Sequence, residues 1–184
     1  MHIALVRHGR PLAARNPIVT ASGFARWARA YEKSAISDDS APPDSLRRSF
    51  QDYYVVASSR PRSVHSAQVC LGRDPDVCLE DLCEMDIPWF RIPLRIPAYA
   101  WLALNRAIWM LGARGPFESF GEAKARAQTV SLELDRLALV HESVVVFGHG
   151  LMNQHVAAGL VTRGWRGTPR RTGYWNVIHL RKVQ

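Results

Sequence analysis

Three short segments of this 184-residue chain carry side chains able to do chemistry: Arg7-His8-Gly9, Ser58-Ser59-Arg60-Pro61-Arg62 and Gly148-His149-Gly150. A neutral imidazole is a nucleophile, and an arginine beside it offers a planar fork of donors to a carboxylate or phosphate. Gly9 lets the backbone approach a ligand closely. In the second segment small hydroxyl residues end an apolar run and a helix follows, and free N–H groups at helix N-termini attract phosphate. Pro61 suits the first helical position, which places Arg62 inside the first turn facing the strand end, with Arg60 before it. Arg62 is therefore the preferred clamp. The third segment sets a second histidine between two glycines, again after an apolar run. Each motif alone is short enough to arise by chance or to be a plain turn. Together they describe a nucleophile, fixed positive charge and close backbone approach.

The elements that must position these residues follow from periodicity. His2 to Val6, Tyr53 to Ala57, Val77 to Leu79 and Val144 to Phe147 are short apolar runs of strand type. Helical pattern covers Ser22 to Ala35, Arg62 to Leu71, Ser119 to His141 and Leu151 to Val161. Ser119 and Glu122 have the spacing of a capping box, and Val130, Leu134 and Leu137 give the helix after them one apolar face. Continuously apolar strands alternating with helices predict a three-layer α/β/α sandwich with a mainly parallel sheet. Ligands of such sheets sit at the carboxyl ends of strands. That rule puts Arg7-His8-Gly9, Ser58-Ser59 and Gly148-His149-Gly150 on one rim. Ser37 to Asp44 reads as an exposed loop, and Tyr174 to Leu180 as the last strand.

Composition narrows the remaining possibilities. With 47% hydrophobic and 22% charged residues, the chain is expected to form one domain over residues 1–184 with its own core. Cys70, Cys78 and Cys83 are odd in number and lack metal-ligand spacing, so neither a disulfide framework nor a zinc site is expected. Their use fits a reducing cytoplasm. No secretory leader is expected, because the first strand runs straight into Arg7-His8-Gly9. The most apolar stretch, Ile96 to Leu111, is broken by Asn105 and Arg106 and is too interrupted for a membrane span. The net charge of +8 could serve nucleic acid, an anionic surface or an acidic small molecule, and only the last has a motif behind it. Arg163 to Arg171 is the one basic loop with a polyanion flavour, but it holds one aromatic residue and no stacking series. A nucleic-acid partner is not expected, and nothing in the sequence speaks to oligomeric state.

Arg7-His8-Gly9, Ser58 to Ala67 with Arg62, Leu82-Cys83-Glu84-Met85-Asp86 and Gly148-His149-Gly150 occur in the order seen in the histidine phosphatase superfamily, also called phosphoglycerate mutase-like. The chain resembles that family over most of its length. The resemblance implies a phosphate pocket made by His8, Arg7, Arg62 and His149, with Gly150 beside it, and neither metal nor other cofactor. It implies that His8 becomes phosphorylated and that Glu84 is the acid–base group, with Asp86 the nearest rival. Phosphate carries up to two negative charges, and its transition state needs fixed positive groups around the equatorial oxygens. His8 would attack as neutral imidazole, His149 would act as a cation, and Glu84 would have a raised pKa.

The pattern also departs from the family. Where many members have an acidic residue, a hydroxyl residue and an asparagine, this chain has Arg10-Pro11-Leu12-Ala13-Ala14-Arg15, and Asn16 comes late. Thr20-Ala21-Ser22-Gly23 resembles the family's next element, and Thr20 or Gly23 could line the substrate end of the pocket or simply cap a helix. After Glu84 the usual Gly and Trp-Glu-Gly element is replaced by Ile87 to Pro97, followed by a tryptophan-rich helical stretch from Ala98 to Leu111. By fold-level analogy, residues 87–116 are expected to form a small cap insertion that chooses the substrate, one with an apolar body and a second polar or anionic group. The leading expectation is hydrolysis of a small-molecule phosphate monoester. The alternatives are a cofactor-dependent phosphoglycerate mutase-type phosphotransferase, a protein-phosphohistidine phosphatase, and a non-catalytic polyanion-binding module.

Overall fold

A computed structural model describes residues 1–167 and 173–183. Its centre is a six-stranded sheet ordered β4-β3-β6-β1-β8-β7, built from β1 (His2–Arg7), β3 (Tyr54–Ser58), β4 (Val77–Leu79), β6 (Ser143–Gly148), β7 (Arg166–Gly167) and β8 (Val177–Arg181). The four strands from β4 to β1 are parallel, whereas β8 and β7 pair antiparallel. The central strands are apolar on both faces because helices cover both. Ile3 and Leu5 face one side, with Val144 and Val146, and meet α5 (Phe120–His141) and α6 (Gly150–Val161) through Leu134 and Val156. Ala4 and Val6 face the other, with Val145 and Phe147, and meet α2 (Asp44–Ser49) and α3 (Pro61–Leu71) through Leu46 and Ala67. The result is the three-layer sandwich expected from the sequence.

A third core lies beside the sandwich. There Phe24, Trp27 and Tyr31 of α1 (Ala21–Lys33) pack with Ile87 and with Ala98 and Trp101 of α4 (Ala98–Met110). The first ends of these two helices are tied together by a two-stranded antiparallel ribbon, β2 (Ile18–Thr20) with β5 (Arg95–Pro97).

Helix boundaries follow the local chemistry. Ser119 and Glu122 close the expected capping box at the start of α5, and Gly72, at φ 70, ends α3 in the left-handed conformation that favours glycine. Two expectations need correction. The last strand starts at Val177, because Tyr174 and Trp175 turn inward onto Arg7 and Gly9 instead of extending. The loop after α1 is not wholly exposed: Ser40 is buried and its hydroxyl accepts from the amide of Arg10 and the indole of Trp175. Thr168 to Arg171 of the basic loop lie outside the described residues. Among those residues, no helix is long and apolar enough to cross a membrane.

Candidate active site

Parallel register brings the chemistry together. Arg7 at the end of β1 lies opposite Gly148 at the end of β6, and Ala57 of β3 lies opposite Phe147, so His8, Ser58 and His149 share one rim. His8 is pinned there through its backbone amide, which donates to the carbonyl of Gly148, and through Gly9, whose amide donates to the Ser66 hydroxyl on α3. The His8 ring is nearly inaccessible, at 2% exposure. Its Nδ1 donates to the Gly9 carbonyl at 2.7 Å, while its Nε2 accepts from the Arg62 Nε–H at 3.2 Å. A carbonyl cannot donate and a guanidinium cannot accept, so the two contacts fix a neutral ring with its lone pair on Nε2.

Arg62 is 1% exposed and locked on three sides. Its Nε reaches His8 and its Nη1 donates to the carbonyls of Tyr31 and Glu32 at the end of α1, at 3.3 and 2.7 Å. Carbonyls in the last turn of a helix lack their intrahelical partners, and although that of Tyr31 also accepts from the Ser34 amide, a carbonyl has a second lone pair for the guanidinium. Arg7 lies over the Tyr174 ring at 4.6 Å, and its buried Nε has no hydrogen-bond partner among the described residues. His149 is fully buried, 5.1 Å from His8 between ring centroids, with Nε2 against the hydroxyls of Ser58 at 2.6 Å and Ser63 at 3.2 Å. The flanking glycines have separate reasons. A Cβ on Gly148 would collide with the Asn153 side chain, and one on Gly150 would lie 3.2 Å from Arg7 Nε.

Glu84 sits against the start of α6. Its Oε1 accepts from the amide of Met152 at 3.0 Å and its Oε2 from that of Leu151 at 3.3 Å, while Arg106 of α4 approaches Oε2 at 3.9 Å. Burial pushes this carboxyl up, but Arg106, the two amides and Arg62 outweigh it and hold it below the usual glutamate range. The expectation of a raised Glu84 pKa is thereby corrected. Of the two histidines, His149 differs from the expected cation, while His8 is the neutral ring expected. Burial, then His149 and Arg62, hold His8 well below the ordinary histidine range, and burial, then Arg62 and Arg60, do the same for His149. The protein's own groups thus keep both rings neutral, and the charge that would protonate His149 has to arrive with the phosphate.

No protein-family model and no curated protein matches the chain. Solved structures do. The chain is similar to TTHB049 from Thermus thermophilus, with TM-score 0.60 and 15% identity over 97% of this chain and 92% of that one. A phosphoserine phosphatase from Entamoeba histolytica, solved with 3-phosphoglyceric acid, gives TM-score 0.57 and 15% identity over 97% and 89%. An alpha-ribazole phosphatase from Shigella flexneri gives 0.54 and 19% over 88% and 80%. The chain has the histidine phosphatase fold. At these identities the likeness is one of fold.

Within the histidine phosphatase fold, several residues lie elsewhere than the sequence suggested. Thr20 caps α1 by accepting from the Gly23 amide at 3.3 Å, at the opposite end of the helix from the carbonyls that hold Arg62. Thr20 and Gly23 are therefore not brought to the phosphate pocket. Asn16 accepts from the amide of Tyr99 in the first turn of α4 and has no part in the pocket either. Asp86 is engaged with Glu118, each backbone amide donating to the other's carboxylate, and Arg126 holds Glu118 in turn. Sequence reasoning missed Tyr31, Tyr174, Ser63, Asn153, Arg106 and Glu32. Of these only Ser63 and Asn153 carried a usable signal, since both sit in the first turns of helices that follow the two motif-bearing strands.

Proposed function

We propose that this protein is a phosphomonoesterase that works through a phosphohistidine on His8 without a metal. The observation that carries this reading is the fixed tautomer of His8, a buried neutral imidazole whose Nε2 lone pair points at the Arg62 guanidinium beside His149. Arg62 and Arg7 hold the phosphate oxygens, and the Arg62 Nε–H moves from His8 onto one of them. Nε2 then attacks phosphorus, the N–P bond forms, and the ester P–O bond breaks with its electrons on the leaving oxygen. Water next attacks phosphorus, the N–P bond breaks back onto Nε2, and orthophosphate leaves.

The incoming dianion also resets the two misfit protonation states. At an effective dielectric of ~20 and a separation of ~6 Å, each unit of negative charge stabilises a proton by about 3 kcal/mol, or about 2 pKa units. It raises His149 toward the cation and Glu84 toward the acid, which gives the leaving oxygen a proton. Once that proton is gone, Glu84 is the ionised base that takes one from water. Similar chains that carry phosphatase names support this class of reaction.

The test is p-nitrophenyl phosphate turnover in EDTA with acid-quench trapping. The wild type is expected to turn over and to carry acid-labile phosphate, and His8→Ala to lose at least about 10⁴-fold in rate and all label while keeping its circular dichroism. Unchanged turnover in His8→Ala would end the proposal.

A further inference from the structure

A large cleft lies apart from the phosphate pocket. It has a volume of about 870 Å³, within the size range of small-molecule sites, and lies between α1 and residues 89–95. Arg26 and Arg29, three apart on α1 and so on one face, line one wall, and Arg91 and Arg95 line the other. Ala25, Trp89 and Ile92 supply apolar surface between them. All four arginines are exposed, none is in an ion pair among the described residues, and no carboxylate lines the cleft there. Four unneutralised guanidinium groups around one apolar floor raise the local potential and match an anion with a greasy body.

Both walls lead back to the catalytic rim. Beyond Arg29, α1 runs on to Tyr31 and Glu32, whose carbonyls hold Arg62, and the other wall begins five residues after Glu84. Past the cleft, the Glu32 carboxyl lies within electrostatic range of Asp86, three residues before Trp89, and of Arg60 and Arg62. At the outer end the walls are fixed to each other by the pairing of Thr20 with Arg95 in the β2–β5 ribbon. Six residues of helix separate Arg26 from Glu32, a span of about 9 Å along the axis.

We infer that this cleft seats the body of the substrate, an apolar or aromatic phosphate ester bearing a second anionic group roughly 10 Å from the scissile phosphate, with that group held by Arg26, Arg29, Arg91 and Arg95. The inference rests on the phosphomonoesterase reading and deepens it. It also gives Thr20 a place at the substrate, since Thr20 lines this cleft.

Biphenyl-4-yl phosphate and biphenyl-4,4′-diyl bisphosphate test it, since they share body and leaving-group type and differ in the second anion. Wild type should favour the bisphosphate by about tenfold or more in kcat/KM, after the statistical factor of two for its two ends. Charge reversal in the double variant Arg26→Glu/Arg91→Glu, at exposed positions that leave the core intact, should bring the ratio to one or below. A wild-type ratio near one, or a preference that survives charge reversal, overturns the inference. Calorimetric binding of both compounds separates this from a failure of the enzyme reading. If neither ester turned over, at least tenfold tighter binding of the bisphosphate that charge reversal removes would still uphold the cleft. Equal weak binding of both, with tight binding of a single-stranded oligonucleotide instead, would assign the arginines to nucleic acid and overturn it.

Discussion

At the end of α1 a buried arginine is held by two backbone carbonyls and a histidine; on the outer face of the same helix two exposed arginines have no ion-pair partner among the described residues. The same side chain is used in opposite ways. Arg62 has almost no freedom left to lose when phosphate arrives, which is what transition-state stabilisation requires of a fixed donor. Arg26 and Arg29 are exposed, so each contact is worth only a few tenths to about 1 kcal/mol, and discrimination must come from several acting together. Rigid burial therefore suits the group common to all phosphate esters, and loose exposed charge suits the part that varies between them.

The largest expected effect breaks the rigid end. Arg62→Lys keeps the charge and discards the fork, so one ammonium cannot serve His8, two carbonyls and a phosphate oxygen at once. Turnover of p-nitrophenyl phosphate is expected to fall by roughly 10³-fold or more, from loss of about 4 kcal/mol of transition-state stabilisation. Steady-state kinetics with a thermal melt checks this. A drop below tenfold in a folded variant would mean that Arg62 is a structural tie and not the clamp.

A smaller effect sharpens the role of Glu84, which is held by the amides of Leu151 and Met152 and faces Arg106. Glu84→Gln should reduce turnover of an alkyl phosphate by about 10²- to 10⁴-fold, the usual range for a general acid, and that of p-nitrophenyl phosphate much less, because nitrophenolate leaves without a proton. Equal losses on both substrates would remove Glu84 from the acid role. Glu32, held above the usual carboxyl range by burial more than Arg60 lowers it, is then the nearest carboxyl to try.

The two ends were unequally legible in the sequence. The phosphate end is written in local grammar: a strand, a turn with glycine, a helix start, repeated at Arg7-His8-Gly9, Ser58 to Arg62 and Gly148-His149-Gly150. Parallel register then does the rest, since strands of this kind end on one rim. The protonation states were not legible, because they depend on distances between segments far apart in sequence, such as Glu84 to Leu151 and His149 to Arg62. Nor was Tyr174 over Arg7, which a strand reading pointed the wrong way. The cleft was legible only as composition, arginines and a tryptophan within residues 87–116. That Arg26 and Arg29 face them depends on the β2–β5 pairing, a three-residue ribbon with no signal of its own.

The smallest effect concerns stability and comes from the phosphate end alone. His8 and His149 are buried and held neutral, with His8 feeling burial, His149 and Arg62, and His149 feeling burial, Arg62 and Arg60. In the unfolded chain both take up a proton near the ordinary value of about 6.5. Below that pH the unfolded state binds more protons than the folded one, so stability is intact above about pH 6.5 and is lost as pH falls, by up to about 1.4 kcal/mol per pH unit for each ring. His2, held at about 4 by burial and by His179 and Arg181, adds to the same slope. Urea unfolding at intervals between pH 7.5 and 5 should show a plateau and then a decline, and His8→Gln should make the decline shallower because one of the buried rings no longer contributes. A flat profile over that range would show that the rim admits a proton readily, and the contrast between a desolvated phosphate end and a hydrated cleft would not stand.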